Sequence, residues 1–574
     1  MLRIKDYVLL VCLCCAALFI ACNKSTEPED KTTTSGADTS TANVSDHEDN
    51  DDYTWDVASA IPVVLNGASI TSNASGVTVS GSKATINAAG VYKLSGSLTD
   101  GQIIVEAGTD AVVKLVMDGA NITCSNSAPV YIKSSKKTIL ILVKNTSNSL
   151  TDGSTYVLEN SAVDEPNAAL YSKSDLSIAG EGSLTVTGKY NDGIASIDGF
   201  IINGGKITVN SLDDGIRGKD YMIVKAGDIS VTAKGNGIKS DNAEDASRGY
   251  VSINDGTVTI TATGDGITAQ TDAIINGGTL NITTGGGSGK TVSGTASAKA
   301  LKGIVSTIIN GGVITVSAAD DAIHSNGYVK INGGTSSVSS GDDGIHADAA
   351  VVINGGQTDI TKSVEGVEGP AITVNGGTLN IVSTDDGFNA TKGDGGESND
   401  GSTLTLNGGN VSVNSSNGDG LDSNGNIVMT GGTVVTHGPK SNPEVGTDYN
   451  GTFNISGGLL VLTGPNSGNM IEATSTSSSQ YSVKATSSSS LTTTNLFHVE
   501  DESGNDIVTF KPVRNAYYIV LSSPNLKSGA TYSIYIGGST TGTEFHGLYT
   551  GGSYSGGTLK KTFTVSGKVT SISF

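Results

Sequence analysis

Aromatic residues and positive charge are scarce in this chain of 574 residues. Aromatic residues make up 5% of it, and Trp55 is its single tryptophan, so a broad ring platform for stacking sugars or bases is not expected. Lys and Arg number 34 against 56 Asp and Glu, and the resulting net charge of −22 disfavours nucleic acid and anionic membrane surfaces as partners. Cations, or ligands bridged by cations, suit this charge better.

Cysteine and proline are also rare, at 5 and 10 residues. Four of the cysteines lie within the first 22 residues, which leaves Cys124 alone in the rest of the chain, so disulfides cannot stabilise the fold. So little proline argues against a collagen or a proline-rich disordered filament. Glycine is the residue in excess, with 77 residues, or about twice its ordinary usage.

A long apolar run occurs once, at residues 7–20, behind Arg3 and Lys5. Its length and position are typical of a signal peptide, and residues 18–22, LFIAC, resemble a bacterial lipobox. We therefore predict that residues 1–21 are a lipoprotein signal peptide and that Cys22 is the site of lipid attachment; the alternative is an uncleaved helix. The protein would then be a lipid-anchored bacterial envelope protein, at the outer membrane or the cell surface.

Residues 22–55 are rich in Ser, Thr, Asp and Glu and have almost no apolar side chains. Such a composition cannot bury surface, so we predict an acidic tether. Its far end carries an acidic cluster of Asp46, Glu48, Asp49, Asp51 and Asp52. We interpret this cluster as a solvated spacer, with a metal site as the less favoured alternative.

From residue 56 onward, short β-type runs alternate with Gly, Asn and Asp, and no segment has a convincing helical period. An Asp-Asp-Gly-Ile-like motif recurs through the centre of the chain, and we use its second acidic position as a marker. The marker falls at Asp192, Asp214, Asn236, Asp265, Lys302, Asp321, Asp343, Glu365, Asp386 and Asp419. Its commonest step, 22 residues, is typical of one coil of a parallel β-solenoid. A leucine-rich repeat is disfavoured because it requires a leucine frame that the sequence lacks.

This repeat predicts an all-β fold with coils of about 22 residues. We place N-terminal coils and a cap at residues 56–190, central coils at 191–470 and a β-rich C-terminal cap at 471–574. Equal positions of successive coils should stack about 4.8 Å apart. The position two after the marker is then an inward apolar column, and the position four after it holds small residues. The inward column reads Ile194, Ile216, Ile238, Ile267, Ile304, Ile323, Ile345, Val367, Phe388 and Leu421.

Carboxylates stack in the marker column and beside it. Two like charges 4.8 Å apart repel by about 3 kcal/mol at an effective dielectric near 20, so the column needs cations or raised pKa values. Hard oxygen ligands in a flexible array suit Ca²⁺ better than Mg²⁺ or Zn²⁺. The predicted calcium ligands are Asp192, Asp213, Asp214, Asp241, Asp320, Asp321, Asp342, Asp343, Glu365, Asp385 and Asp386. The alternative is that these aspartates only cap turns.

The position three after the marker should face outward, and with its neighbours it mixes carboxylates, cations and imidazoles. The predicted ligand-binding residues are Arg217, Lys219, Lys239, His324, His346 and Glu368. A polyanion bridged by calcium fits such a surface, and a solvated polar face is the alternative. Insertions at residues 242–248, 285–300 and 392–400 would form the walls of a binding cleft.

Several motifs are long and unusual: DDGIRGK at 213–219, NGIKSDNAEDA at 236–246, DDAIHSN at 320–326, GDDGIHAD at 341–348 and EGVEG at 365–369. They resemble the bacterial secreted carbohydrate-binding domain-containing proteins, typified by a clostridial cellulose- and pectate-binding protein. The resemblance implies a right-handed parallel β-helix with bound calcium, similar in shape to family nine polysaccharide lyases. It also implies binding of acidic polysaccharide such as polygalacturonate, and of cellulose. Lys302 departs from the family's pattern and would interrupt the metal ladder.

Two functions follow from these observations. The first is a lipoprotein, expected to be a monomer, that binds acidic polysaccharide through calcium and meets the membrane only through its anchor. The second is a lyase that removes a proton beside a uronate carboxylate, with Lys239, Arg217 or Lys219 as the base. A lysine base needs a lowered pKa, whereas neighbouring carboxylates raise it, so binding is favoured and no catalytic residue is assigned. An adhesin or spacer without a ligand is a third, weaker reading.

Overall fold

A computed structural model describes residues 47–160, 162–292, 296–393 and 398–574. The predicted signal peptide, Cys22 and most of the predicted tether lie outside these residues. Among the described residues, no helix is long and apolar enough to cross a membrane. The same residues contain a single 3₁₀ turn, Gly468–Met470, and no α-helix, so the all-β prediction is confirmed.

Three stacks of parallel strands run along the molecule, and each coil contributes one short strand to the first of them. This first stack is a 16-stranded sheet whose strands are parallel except for the first pair. Its strands are Val77–Ser80, Lys83–Ile86, Gln102–Glu106, Val130–Ser134, Ala168–Ser172, Asp192–Ser196, Ile216–Gly218, Ile238–Ser240, Ile267–Ala269, Leu301–Gly303, Ile323–Ser325, Ile345–Ala347, Val367–Glu368, Phe388–Ala390, Leu421–Ser423 and Thr447–Tyr449.

The second and third stacks belong to one 30-stranded sheet that bends between them. Strands that run through both stacks are Gly90–Leu98, Val112–Thr123, Asp175–Thr187, Gly199–Ser211 and Tyr221–Ala233. Strands of the second stack alone are Lys137–Leu142, Tyr250–Ile253, Asp272–Ile275, Ser306–Ile309, Tyr328–Ile331, Ala350–Ile353, Ala371–Val374, Thr403–Leu406, Asn426–Met429 and Phe453–Ile455. Strands of the third stack alone are Ser147–Thr151, Thr257–Ala262, Thr279–Thr284, Val313–Ala318, Thr335–Ser340, Gln357–Lys362, Thr378–Ser383, Asn410–Ser415, Thr433–His437 and Leu459–Gly464. At the N-terminal end, Ile61–Gly67 pairs parallel with Gly90–Leu98 and antiparallel with Ile70–Thr71.

The centre of each coil is filled by the predicted inward column. Nine of its ten residues are completely buried, which confirms that column; Ile304 is the exception. The glycine after the marker is explained by packing. A Cβ at Gly215 would lie 2.2 Å from Val231 and 2.6 Å from the carbonyl oxygen of Gly237, so only glycine lets neighbouring coils approach this closely.

The predicted alignment of one coil is wrong. Leu301 pairs with Ile267 and Ile323, and Lys302 pairs with Thr268 and His324. Leu301 is therefore the buried residue of this coil instead of Ile304, and the marker position belongs to Lys299 instead of Lys302. The insertion at 285–300 misled the alignment, because it lengthens the step to the preceding marker and removes the Gly-Ile signature.

Part of the end of the predicted tether lies against the coils, which corrects its interpretation as a solvated spacer for Asp52 and Glu48, while Asp49 and Asp51 are exposed and Asp46 lies outside the described residues. Asp52 is only 2% exposed, and its carboxylate lies 2.7 Å from Nζ of Lys137. Glu48 forms an ion pair with Lys225, and the ring of His47 stacks on Tyr221 with centroids 3.9 Å apart. These acidic side chains therefore act in packing, since each neutralises a lysine of the coils.

Parallel stacking ends at Leu459–Gly464, which pairs antiparallel with Ala516–Ser522. The C-terminal residues form a β-rich unit whose apolar core also includes Val435 and Val461 of the last coils. Three of its strands continue the large sheet: Ser482–Leu491, Ala516–Ser522 and Val569–Ser573. Six others form an antiparallel sheet: Phe497–Asp501, Asp506–Phe510, Thr531–Thr540, Thr543–Phe545, Leu548–Thr550 and Tyr554–Thr564.

Candidate functional site

The outward-facing side chains of the first stack form one continuous column, which we call the outer column. It changes character along the molecule, from apolar and aromatic through cationic and imidazole side chains to acidic ones. In chain order it comprises Ile104, Tyr131, Tyr171, Ala195, Arg217, Lys239, Thr268, Lys302, His324, His346, Glu368, Asn389, Asp422 and Asp448. The marker column, the outer column and the residues directly beside them in each coil together make the outer face.

Marker side chains link successive coils through the backbone. The N–H of Asp214 donates to Oδ1 of Asp192 at 3.1 Å, and the N–H of Asn236 donates to Oδ1 of Asp214 at 2.8 Å. Likewise, the N–H of Asp343 donates to Oδ1 of Asp321 at 3.1 Å. One oxygen of each of these side chains is therefore used to link two coils. An amide oxygen can serve as well as a carboxylate oxygen, because Asn236 Oδ1 accepts the N–H of Asp265 at 2.9 Å.

In the N-terminal coils of the outer face, the predicted carboxylates and cations pair with each other. Both oxygens of Asp241 lie 3.0 Å from Nε of Arg217. Nζ of Lys239 lies 3.1 Å from Asp214, and Nζ of Lys219 lies 3.1 Å from Glu244. The cations here are therefore already occupied by carboxylates of the same protein.

Burial and neighbouring charges shift the pKa values of these side chains. Burial lowers the pKa of Lys239, but Asp214 and Asp241 outweigh burial and raise that pKa above its usual value. Asp192, which is 3% exposed, has its pKa raised to about 8 by burial and by the charges of Asp214 and Asp213. Asp213 has a raised pKa for the same two reasons, burial and the charge of Asp214.

At the next coils, Lys299 supplies the cation. Its Nζ lies 2.9 Å from Asp320 and 3.0 Å from Asp321. Asp321 is almost fully buried; burial raises its pKa, but the hydrogen bond from His324 and the charge of Lys299 outweigh burial and hold the pKa well below its usual range. Lys299 is a site residue that the sequence reasoning missed, because the misplaced coil assigned the marker position to Lys302.

The two histidines of the outer column stack on each other, with ring centroids 5.2 Å apart. Nδ1 of His324 lies 2.9 Å from Asp321, and Nδ1 of His346 lies 2.9 Å from Asp343. Nε2 of His346 also lies 3.2 Å from Asp348. Burial lowers the pKa of His346, but these hydrogen bonds prevail and raise it to about 11. Each histidine is thus held by the marker carboxylate of its own coil.

The following coils bring carboxylates together without a lysine or arginine. Ligand oxygens of Asp342, Asp343 and Glu365 lie within 4.8 Å of one another. The pKa of Asp342 is raised by burial and by the neighbouring acidic charges. Asp386 lies one coil further on, and burial raises its pKa to about 8; Asp385 beside it has a raised pKa through burial and the charge of Glu365.

Two overlapping groups extend this cluster. Asp343, His346 and Glu368 form one, and Asp320, Asp321 and Asp342 form the other, in which Lys299 lies. The structure therefore brings together seven of the predicted metal ligands and ligand-binding residues at this point: Asp320, Asp321, Asp342, Asp343, Glu365, His346 and Glu368. Asp192, Asp213, Asp214, Asp241, Asp385 and Asp386 are on the same face but in no such group.

A further acidic group was missed. Asp419, Asp422 and Asp448 place carboxylate oxygens within 4.8 Å of one another near the C-terminal end of the outer face. Burial and the charges of Glu444, Asp422 and Asp448 raise the pKa of Asp419 to about 8. The sequence held a signal for Asp448, because Gly446 continues the column of glycines that pack between coils and Asp448 follows it in register with Asp422.

The predicted insertions flank the outer face on both sides. Residues 242–248 and 392–400 follow strands of the first stack, whereas residues 285–300 precede one. The insertion at 242–248 carries Glu244, which pairs with Lys219, and the insertion at 285–300 carries Lys299. Residues 293–295 and 394–397 of these insertions lie outside the described part of the chain.

The donor atoms of the outer face are mostly carboxylate oxygens. Clustered carboxylate oxygens would suit a hard cation with a variable coordination number, such as Ca²⁺. Asp342, Asp343 and Glu365 would hold it at one place and Asp419, Asp422 and Asp448 at another. Tyr131 and Tyr171, the aromatic residues of the outer column, are 6% and 1% exposed, so they offer no open ring surface.

Comparison with known proteins adds a family. A family profile described as "Carbohydrate-binding domain-containing protein" matches residues 80–344 and 342–508. A protein of the same description from Acetivibrio thermocellus is 40% identical over 139 residues, which is 24% of this chain and 49% of that protein, so the chain spans about half the length of the curated relative it matches. A solved structure of the polysaccharide lyase-like protein from C. thermocellum, a gadolinium derivative, is 37% identical; the match covers 40% of this chain and 92% of that one, with a TM-score of 0.39.

Proposed function

The chain belongs to the family of carbohydrate-binding domain-containing proteins, and from this premise we propose that it binds acidic polysaccharide through calcium ions on the outer face. The ions would be held in the C-terminal coils, where uronate carboxylates of the polysaccharide complete their coordination. We also propose that the coils wind in the right-handed sense, which parallel crossover connections strongly prefer.

The observation that carries the proposal is the group of Asp342, Asp343 and Glu365. Their oxygens lie within 4.8 Å of one another, and among the described residues no lysine or arginine forms an ion pair with any of the three. Carboxylates this close in a partly buried position favour either protonation or a bound cation. Calcium uses oxygen ligands and keeps room for ligand or water, so a polyanionic sugar can share the ion with the protein.

Cations of the N-terminal coils contribute less to this proposal. Arg217, Lys219 and Lys239 are already paired with carboxylates, so binding a polyanion there would require those pairs to be broken. The raised pKa of Lys239 also does not support proton abstraction, because a lysine base must lose its proton near neutral pH. Cellulose is left out of the proposal, because the aromatic residues of the outer column are buried.

The anchor forms the second part of the proposal. The lipobox-like residues before Cys22 support cleavage of the signal peptide at residues 1–21 and lipidation of the Cys22 thiol. The outer face would then be presented from the bacterial envelope. Labelling of the expressed protein with a fatty acid should therefore be lost in the Cys22→Ala variant.

Retention of the purified protein on immobilised polygalacturonate tests the proposed binding. We expect retention in calcium, none in chelator, and no growth of ultraviolet absorbance from unsaturated products. The double variant Asp342→Asn/Glu365→Gln should lose retention. Asp255→Asn, an exposed acidic residue in a turn between the second and third stacks, is the matched control and should bind normally. Retention that chelator leaves unchanged would contradict the calcium bridge.

A further inference from the structure

We infer that Lys299 is a built-in counter-ion that takes the place of a metal ion on the outer face. Its ammonium group neutralises Asp320 and Asp321, so these coils bind no calcium, and metal binding begins one coil later, at Asp342. The inference rests on the proposed calcium binding only for the part that concerns Asp342.

The position of the ammonium group is the first argument. Asp320, Asp321 and Asp342 place their oxygens within 4.8 Å of one another, as a metal site would require. Nζ of Lys299 lies 2.9 Å from Oδ1 of Asp320 and 3.0 Å from Oδ2 of Asp321. The side chains of Lys299 and Asp320 are each 14% exposed, and that of Asp321 is 6% exposed. A positive charge therefore already lies among these oxygens, shielded from water.

The chain position of Lys299 is the second argument. It occupies the marker position, because Leu301 two residues later pairs with the buried Ile267 and Ile323. In most coils the marker side chain accepts the N–H of the next marker, and lysine cannot do this because it carries only donors. The missing bond is replaced within the next coil: Oδ1 of Asp320 accepts the N–H of Asp321 at 3.0 Å.

The two adjacent aspartates of this coil, Asp320 and Asp321, therefore have different roles. Oδ1 of Asp321 accepts the backbone N–H of Asp343, and Oδ2 of Asp321 bonds Nδ1 of His324. Oδ1 of Asp320 accepts hydrogen bonds from the ammonium group of Lys299 and from the backbone N–H of Asp321. Asp342 and Asp343 repeat the same pair one coil later, but no lysine reaches them in the described residues. The two Asp-Asp pairs thus differ in their partners, because the first pair has Lys299 and His324 and the second has His346.

Calcium titration of the full-length protein, stripped with chelator beforehand, tests the inference by isothermal calorimetry. The Lys299→Met variant should bind one more calcium ion than the wild type, and Lys299→Arg should keep the wild-type number. Adding Asp320→Asn to Lys299→Met should remove the extra ion. Lys302→Met is the matched control, because Lys302 lies in the adjacent outer column with its Nζ 4.0 Å from Asp265, and it should leave the number unchanged.

The outcomes separate this inference from the proposed function. If the wild type binds no calcium and Lys299→Met binds one ion, the counter-ion role is supported and the calcium bridge of the proposed function fails. If Lys299→Met binds the same number as the wild type, the inference is overturned, whatever the wild type binds. Should Lys299→Met lose its fold in chelator, recovery of a cooperative thermal transition on adding calcium supports the inference, and no recovery overturns it.

Discussion

The N-terminal and C-terminal coils of the outer face share the Asp-Asp-Gly motif and differ in what neutralises it. In the N-terminal coils, Lys239 and Arg217 pair with the carboxylates, and Lys299 does the same for Asp320 and Asp321. In the coils of Asp342 and Glu365 the carboxylates face one another, and in the described residues no lysine or arginine pairs with them; only the imidazole of His346 bonds one of them, Asp343. The same motif therefore builds a closed, self-neutralised surface in one region and an open acidic one in the next.

This difference shows that an acidic motif does not by itself specify a metal site. In both regions the marker carboxylate accepts the backbone N–H of the marker residue in the next coil. One aspartate per coil is therefore explained without a bound ion. In our proposal, the carboxylate that precedes the marker determines whether a cation binds, and its state depends on whether a lysine such as Lys299 reaches it. The following predictions test this division, in order of decreasing effect.

We expect the largest difference in unfolding free energy between two substitutions at marker positions, both measured in the presence of chelator. Asp321→Asn removes the carboxylate that balances the buried ammonium group of Lys299 and bonds Nδ1 of His324, and such a loss should cost about 3 kcal/mol of unfolding free energy. Asp386→Asn removes a carboxyl group whose charge is disfavoured by burial, so the cost should stay within about 0.5 kcal/mol. Asn236 shows that an amide can serve at this position. Denaturant unfolding measures both, and equal losses would contradict the division.

Calcium should stabilise the two regions unequally. At a calcium concentration 100 times its dissociation constant, a single site adds about 2.7 kcal/mol to the unfolding free energy. Asp342→Asn should therefore abolish much of the calcium-dependent rise in melting temperature, whereas Asp213→Asn should leave the rise intact. A calcium response that falls equally in both variants would place ions along the whole face.

Stability should depend on pH with opposite signs for marker carboxyl groups whose pKa is raised, which include Asp192 in the N-terminal coils, and for Asp321, whose pKa is lowered. Asp386 and Asp419 have pKa values of about 8, above the value of about 3.9 in unfolded chains, so the folded state holds their protons more tightly. Their contribution to stability in chelator should then fall as pH rises from about 4 to about 8. Asp321 has a lowered pKa, so its contribution is present above pH 4 and is lost in acid.

Thermal melting in chelator between pH 5 and pH 8 checks this dependence. The melting temperature should fall across that window, and the Asp386→Asn/Asp419→Asn double variant should flatten the fall. Calcium should also flatten it, because a bound ion favours the ionised carboxylates. A melting temperature that rises from pH 5 to pH 8 in chelator would show that the paired carboxylates dominate instead.

The smallest effect is expected from Arg217→Gln. The guanidinium group is already occupied by both oxygens of Asp241, so its loss should change retention on polygalacturonate by less than about threefold. Glu365→Gln, assayed on the same column, should reduce retention at least tenfold. If Arg217→Gln abolished retention, the cationic coils would be the binding region, and the acidic coils would lose that role.

Much of the fold could be read from the repeat. The inward column and the small-residue column follow from a 22-residue period, because a stacked coil places equal positions on top of one another. Prediction failed at Leu301 and Lys299, where a long insertion shifts the frame by three residues and a leucine replaces the usual isoleucine. It also failed at Asp52, since acidic composition alone suggested solvent, whereas Lys137 buries that carboxylate.

Composition and repeat alone determined that this protein is a stacked, all-β acidic chain with carboxylates aligned along one face. Those properties follow from local patterning, because the period of the side chains decides which of them share a column. Only the tertiary structure decided which carboxylates are neutralised, because Lys299, Lys239 and Lys137 reach their partners across coils or from distant segments. An ion pair between coils depends on the register and on the length of the insertions, which no single motif encodes.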